Sequence, residues 1–242
     1  MRSRDDAFGR MIYDYERGDR SGGEIVERDD GYFDVSGGPA AYFREYKSWS
    51  PHERKAMQYV RGRVLDIGCG AGRSALYLQS RGHDVLGIDV SPLAVKVARQ
   101  RGLRSARVLS ITKVGPELGE FETILMMGNN FGLFGSRKRA RWLLRRFKRI
   151  TTDDARVIAE SVHVYRTADP DHRRYHRMNR ERGRMGGQIR IRVHYQAYVT
   201  PWFDYLFVSQ SEMKELLAGT GWHVGRFLDS GGPSYIAVIE KD

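Results

Sequence analysis

The chain has 242 residues, 40% hydrophobic and 29% charged, and its 41 Lys and Arg against 30 Asp and Glu give a formal net charge of +11. That size suits one large α/β domain with a modest insertion and a full core, and no apolar run is long enough to cross a bilayer. The single cysteine, Cys69, excludes an internal disulfide, and the absence of an apolar segment in Met1–Asp6 adds to the expectation of a cytoplasmic protein.

Residues 1–60 read as an extension of loops and short helices. Gly22-Gly23, Gly31 and Ser36-Gly37-Gly38-Pro39 punctuate it. Ala40 to Ser48 reads as one helix, and Ser50-Pro51-His52-Glu53 opens another with a Ser cap, a Pro at the first helical position and an acid in the first turn. Its aromatics, Tyr32, Phe33, Tyr42, Phe43, Tyr46 and Trp49, either pack onto the core or belong to a lid.

Strands and helices then alternate, as in a parallel sheet. Strands are expected near 63–67, 84–88, 105–109, 122–128 and 155–162, and helices near 72–81, 91–101 and 136–150. Such sheets hold ligands outside the C-terminal strand ends, which here carry Asp66, Asp89, Ser110, Met127 to Phe131 and Ser161 to Tyr165.

The first of these strands runs into Val64-Leu65-Asp66-Ile67-Gly68-Cys69-Gly70-Ala71-Gly72-Arg73. A strand turning sharply into a helix presents free backbone N–H groups, and glycines let a ligand approach the backbone. A pyrophosphate site would space its glycines G-x-G-x-x-G. Here the spacing is G-x-G-x-G, and the carboxylate of Asp66 would repel a phosphate but suits an ammonium. The second strand ends in Asp89, placed to accept the hydroxyls of a ribose. This segment resembles motif I of the class I S-adenosylmethionine-dependent methyltransferases, and Asp89 falls where that family has its ribose-binding acid.

The resemblance implies a Rossmann-like core that binds S-adenosylmethionine. Gly68, Cys69 and Gly70, with Asp66, would hold the methionine part, Asp89 the ribose, and Val90 the adenine. Ser110 and Ile111 stand where the family often places an acid on the adenine amine, so a hydroxyl or backbone contact replaces it. Met127 and Asn129 follow the fourth strand. A D/N-P-P-Y/F sequence marks methyltransferases of exocyclic amines there, and both prolines are missing from Gly128-Asn129-Asn130-Phe131. Asn129 then either bonds cofactor or substrate or simply closes a turn. The extension would act as a lid.

His163, past the fifth strand, is the candidate base, with Tyr165 two residues on and facing the same way if the strand continues; a structural histidine is the alternative. Residues 137–149 form an arginine-rich amphipathic helix with Trp142, Leu143, Phe147 and Ile150 on its apolar stripe. Thr167 to Gly187 is polar and arginine-rich. His172 and His176 stand beside Asp169 and Asp171, but no fourth ligand completes a metal site. Gln188 to Val199 alternates as one strand, Thr200-Pro201 turns it, and Trp202 to Val208 returns, an inserted pair resembling the substrate lids of small-molecule methyltransferases. Ser209 caps a helix ending at Gly219 or Gly221, and Trp222 to Asp229 with Ser234 to Glu240 form a closing hairpin.

The expected fold is therefore α/β: a doubly wound, seven-stranded, mostly parallel sheet with a terminal antiparallel hairpin and an inserted antiparallel pair. Residues 1–60 form the extension, 61–166 and 209–242 the core, and 167–208 the insertion. The expected activity is in-line transfer of a methyl group to N or O of a small molecule. The basic charge keeps RNA or protein as alternative acceptors, and a non-catalytic S-adenosylmethionine-binding protein is the third reading.

Overall fold

The computed structural model describes residues 5–242, so the N-terminal segment Met1–Asp6 read above lies partly, through Met1–Arg4, outside the described residues. Helix α1 (Ala7–Glu16) opens the fold. Asp6 caps it by accepting the Gly9 amide at 3.0 Å, and the stripe of Ala7, Met11 and Ile12 is buried. Strands β1 (Ile25–Arg28) and β2 (Phe33–Val35) follow, so the extension is not built of loops and short helices alone. Ala40 to Ser48 is not one helix either. Two 3-10 turns, Pro39–Phe43 and Tyr46–Ser48, are separated by extended backbone at Glu45 (φ −74°, ψ 155°). Helix α2 (Pro51–Ala56) starts at the Ser50 capping box, as its sequence signals.

The core elements are β3 (Val64–Ile67), α3 (Arg73–Ser80), β4 (Val85–Asp89), α4 (Pro92–Gln100), β5 (Ala106–Val108), β6 (Phe121–Met126), α5 (Arg137–Phe147) and β7 (Thr151–Val162). Every residue of β3 and β4 is buried, as befits strands covered on both faces. In α5 the buried stripe is Ala140, Leu143, Leu144 and Phe147. Trp142 lies off it, 46% exposed, with the Arg146 guanidinium over its ring.

The polar stretch after β7 contains a helix, α6 (Pro170–Glu181), whose cap Asp169 accepts the amides of Asp171 and His172. Strand β8 (Gln188–Tyr195) ends earlier than expected. Gln196 takes a left-handed φ of 51°, and β9 (Tyr198–Val199) folds straight back, pairing Tyr195 with Tyr198. Strand β10 (Phe203–Leu206), helix α7 (Gln210–Leu217) and the antiparallel pair β11 (Trp222–Asp229) and β12 (Ser234–Lys241) complete the chain.

The larger sheet has seven strands in the order β11-β12-β7-β6-β3-β4-β5, with β12 antiparallel to both neighbours. The smaller runs β10-β8-β1-β2, with β9 beside β8. The inserted strands thus share a sheet with the extension, β1 pairing antiparallel to β8 through Glu27 and Arg192. Among the described residues no helix is long and apolar enough to cross a membrane.

The chain divides into two compact units. The first comprises residues up to Trp49, Leu65–Lys113 and Arg190–Phe203; its core joins Ala7, Met11 and Ile12 to Ala71, Ala94, Val97, Val193 and Tyr195. The second comprises Ser50–Val64, Val114–Ile189 and Asp204–Asp242. Its packing includes Trp222, buried with its indole N–H on the Leu144 carbonyl at 2.9 Å.

Candidate active site

In the first unit the turn after β3 places Gly68, Gly70 and Gly72 at φ 73°, 53° and 82°, left-handed values that account for a glycine at every second position. Four of the turn's N–H groups are engaged within the fold rather than left free. The amides of Gly68 and Cys69 both donate to the Ile88 carbonyl (2.8 and 3.0 Å), and that of Gly72 to the Cys69 carbonyl. The Gly70 amide donates to Asp89 Oδ2 at 3.0 Å. With these donors spent, the turn is tuned for a ligand that brings its own hydrogens.

Asp66 fits such a ligand. Its side chain is buried and its Oδ2 has no partner. Burial pushes the carboxyl up to about 7; Arg73 opposes this, the charge of Asp89 adds to it, and the Ala75 amide opposes it. A cation against Oδ2 would satisfy the orphaned acceptor and favour the ionised form.

Asp89 accepts the Ser91 amide on Oδ1 at 2.9 Å as well as Gly70 on Oδ2. Burial raises its pKa against the pull of these two bonds. Each carboxylate oxygen keeps a further lone pair for a ligand hydroxyl. Val90, next in the chain, is 53% exposed, an apolar surface suited to a flat ring. The Cys69 thiol is buried and held well above its usual pKa by burial. Its Sγ lies 3.0 Å from where a Cβ on Gly87 would stand, so Cys69 is packed and unreactive. Ser110 Oγ is 3.0 Å from Thr112 Oγ1, and Ile111 is buried beside it.

Helix α1 covers this turn. Phe8 and Ile12 each come within 3.8 Å of the position a Cβ on Gly70 would take. Asp6 Oδ2 accepts Ser91 Oγ at 2.9 Å and the Leu93 amide at 3.3 Å, tying the helix start to the loop after Asp89. Nothing in the local sequence pattern of Asp6 signals this partner, which lies 85 residues on.

In the second unit Met127 is buried and the loop after β6 is braced from two sides. The Gly128 amide donates to Glu160 Oε2 at 2.7 Å, while Glu160 Oε1 accepts Ser234 Oγ at 3.0 Å. Asn129 is left-handed (φ 64°) and its carbonyl accepts the Tyr205 hydroxyl at 2.7 Å. The Tyr205 ring occupies the space a side chain on Gly132 would need, 1.9 Å from that Cβ. Glu160 was missed by sequence reasoning, although an acid at a strand end is a findable signal.

β7 stops at Val162, so strand alternation does not set the pair, yet the turn that follows brings the Tyr165 and His163 rings together edge to face, 6.0 Å between centroids. The chain turns, Arg166 donating to the His163 carbonyl, and Tyr165 donates its hydroxyl to Glu212 Oε1 at 2.6 Å. Burial and the Glu212 carboxylate push this phenol up to about 12. The His163 amide donates to the Pro233 carbonyl at 2.8 Å, and its Nδ1 is buried without a partner. Among the described residues, the orphaned buried side-chain atoms thus include Asp66 Oδ2, Asn129 Oδ1 and His163 Nδ1, each on a residue expected to meet a ligand.

Polar side chains on the inserted strands of the first unit have local partners. His194 Nε2 lies 2.6 Å from Glu27 Oε2, beside the Glu27–Arg192 ion pair, and the Arg192 guanidinium covers Trp202.

Residues 64–154 match the family model described as a methyltransferase domain. A S-adenosylmethionine-dependent methyltransferase from Bacteroides fragilis, solved with S-adenosyl-L-homocysteine, superposes with a TM-score of 0.84 at 26% identity, covering 100% of this chain and 97% of that one. A 2-heptyl-1-hydroxyquinolin-4(1H)-one methyltransferase of Mycobacteroides abscessus is 40% identical over 72 residues, 27% of this chain and 32% of the relative. A ubiquinone biosynthesis O-methyltransferase of Bordetella avium is 29% identical over 100 residues, 37% of this chain and 42% of the relative. The chain therefore matches less than half the length of these curated relatives.

Proposed function

We propose that this chain, a member of the class I S-adenosylmethionine-dependent methyltransferase superfamily, transfers a methyl group to a nucleophilic N or O of a small-molecule acceptor. The observation that carries the reading is Asp66, a buried carboxyl with an orphaned oxygen at the end of β3. It is followed by a turn whose amides of Gly68, Cys69, Gly70 and Gly72 are already engaged. That arrangement disfavours a phosphate and favours an ammonium.

S-adenosylmethionine, when bound, supplies an electrophilic methyl on a positively charged sulfur. Asp66 then binds the ammonium and Asp89 the ribose hydroxyls. Val90 and Ile111 bear on the adenine, with Ser110 beside them. Gly68, Cys69 and Gly70 contribute backbone to the methionine part, and Met127 apolar surface. The extension closes over the turn through Phe8 and Ile12 of α1, while residues 167–208 serve acceptor binding.

On the acceptor side, alignment supplies most of the rate and a base removes any proton. His163 Nδ1 takes that proton, and Asn129 Oδ1 accepts a hydrogen bond that orients the acceptor. Tyr165, which keeps its proton and donates it to Glu212 in a hydrogen bond, positions rather than deprotonates. The small-molecule class is supported by relatives named for a hydroxyquinolone and for ubiquinone biosynthesis.

The test is S-adenosylhomocysteine release from a panel of hydroxylated aromatics and amines, with calorimetry of S-adenosylmethionine binding alongside. Turnover on a panel member supports the reading. Binding without turnover on small molecules, RNA or protein moves the chain to the non-catalytic class, and absence of binding overturns the cofactor assignment.

A further inference from the structure

An open cavity of about 420 Å³ lies in the second unit, walled by the start of α5 and the end of α6. Its charged lining is Arg137, Lys138, Arg180 and Arg184 against Glu212 and Glu215. Three observations set this lining apart from an ordinary solvated face.

The carboxylates do not balance the cations. Glu212 is consumed, its Oε2 accepting the amide and hydroxyl of Ser209 and its Oε1 the hydroxyl of Tyr165. Among the described residues Arg137, Lys138 and Arg184 form no ion pair, whereas the neighbouring Arg139 is spent on the Phe134 and Leu133 carbonyls. Arg180 is oriented by the Tyr165 ring, 5.4 Å from its centroid.

Arg137 and Lys138 also sit where helix stability argues against them, whereas Arg180 lies in the last turn of α6, where positive charge is favoured. The first turn of α5 holds no acid, and positive charge at a helix start opposes the backbone dipole. Local structure thus bears a cost with no partner in the fold to offset it, a pattern expected where a ligand supplies the missing charge. Finally, the cavity is of a size that takes small ligands, and its wall includes Gly183, where no atom occupies the side-chain space and backbone can be approached closely.

We propose that this cavity binds a phosphate-bearing ligand, with Arg137, Lys138 and Arg184 as its principal contacts. Guanidinium forks match phosphate oxygens in pairs, and several cations converging on one cavity suit a multiply charged oxyanion better than a single carboxylate. Arg137 and Lys138 lie outside every segment assigned to cofactor or acceptor, Arg184 belongs to the 167–208 segment proposed for acceptor binding, and the titration below reads phosphate binding without methyl transfer.

The whole chain is titrated with pyrophosphate by calorimetry at fixed ionic strength. Saturable binding is expected, weakened at least about tenfold in the Arg137→Gln/Arg184→Gln double variant. The variant's ligand-free unfolding midpoint, expected unchanged or higher, certifies its fold; should it fall, the single Arg184→Gln variant replaces it. A single-stranded oligonucleotide in competition identifies the source of the phosphate. Competition with a steep salt dependence assigns the cavity to an RNA backbone, and failure to compete assigns it to a free phosphorylated molecule. If neither probe binds the wild-type chain, or a folded variant binds as well as wild type, the proposal is overturned.

Discussion

Asp89 Oδ2 accepts the Gly70 amide at 3.0 Å, so the acid at the end of β4 holds the shape of the glycine turn after β3. Its other oxygen takes the Ser91 amide. The side chain proposed to bind the ribose therefore also serves local folding. Asp89→Asn presents an NH2 group where one backbone donor needs an acceptor, and hydrogen bonds to a charged group contribute about 1.5–3 kcal/mol each. The expected outcome is a lower unfolding midpoint together with at least about tenfold weaker S-adenosylhomocysteine binding by calorimetry. Unchanged affinity in a destabilised variant would leave Asp89 a purely structural brace.

The elevated pKa of Asp66 sets a pH dependence. The carboxyl moves from its ordinary 3.8 to about 7 in the folded chain. The ligand-free fold therefore holds this proton more tightly than the unfolded chain. Its contribution to stability is present below pH 4, declines as pH rises toward about 7, and changes no further above. Binding an ammonium needs the ionised carboxylate, so cofactor affinity should climb with pH up to about 7. It should fall again above about 8, where an α-amino group loses its proton. Calorimetry from about pH 5.5 to 8.5 checks this. Asp66→Asn should abolish the rising limb, and a rising limb that survives in the variant would assign it to another group.

Which parts were legible in the sequence follows from how each is stabilised. β3 and β4 are buried on both faces, so their apolar runs and terminal acids stand out. Helix α6 carries a clear Asp169-Pro170 start, but its buried positions are Tyr175, His176 and Asn179, only one of them a typical core residue, so no apolar period appears. Strands β1 and β2 are short, and β1 draws its pairing from β8, far along the chain. The same distance effect hides the site's supports. Asp66, Asn129 and His163 were visible as strand-end residues, whereas Asp6 on Ser91, Tyr205 on Asn129 and Glu160 on Gly128 exist only through folding.

Tyr205 tests one of those supports. Its ring fills the space left by Gly132 and its hydroxyl caps the Asn129 carbonyl. Tyr205→Phe keeps the ring and leaves that carbonyl with the Gly132 amide alone, a loss of about 0.5–1.5 kcal/mol. Turnover should drop with cofactor affinity near wild type, because the change falls on the loop presenting Asn129. Gly132→Ala should be the more damaging variant, since the added methyl group and the ring cannot share the space. Equal stability of Gly132→Ala and wild type by thermal unfolding would contradict this packing.

His163 separates function from architecture through the sign of its stability effect. Its Nδ1 is buried and unpartnered, and replacing an unsatisfied polar group by an apolar one of similar shape is near neutral or stabilising. A histidine kept for structure would have a partner to lose, so its removal would destabilise the fold and leave the chemistry intact. His163→Phe is expected to do the reverse. The unfolding midpoint should hold or rise and S-adenosylhomocysteine affinity should stay near wild type, while turnover of an acceptor that must lose a proton falls by about 10²–10⁴-fold. Rate measurements on a pre-ionised acceptor sharpen the test. That substrate needs no base, so the variant should recover most of the lost rate on it. An equal deficit on both acceptors would move His163 from proton transfer to acceptor orientation.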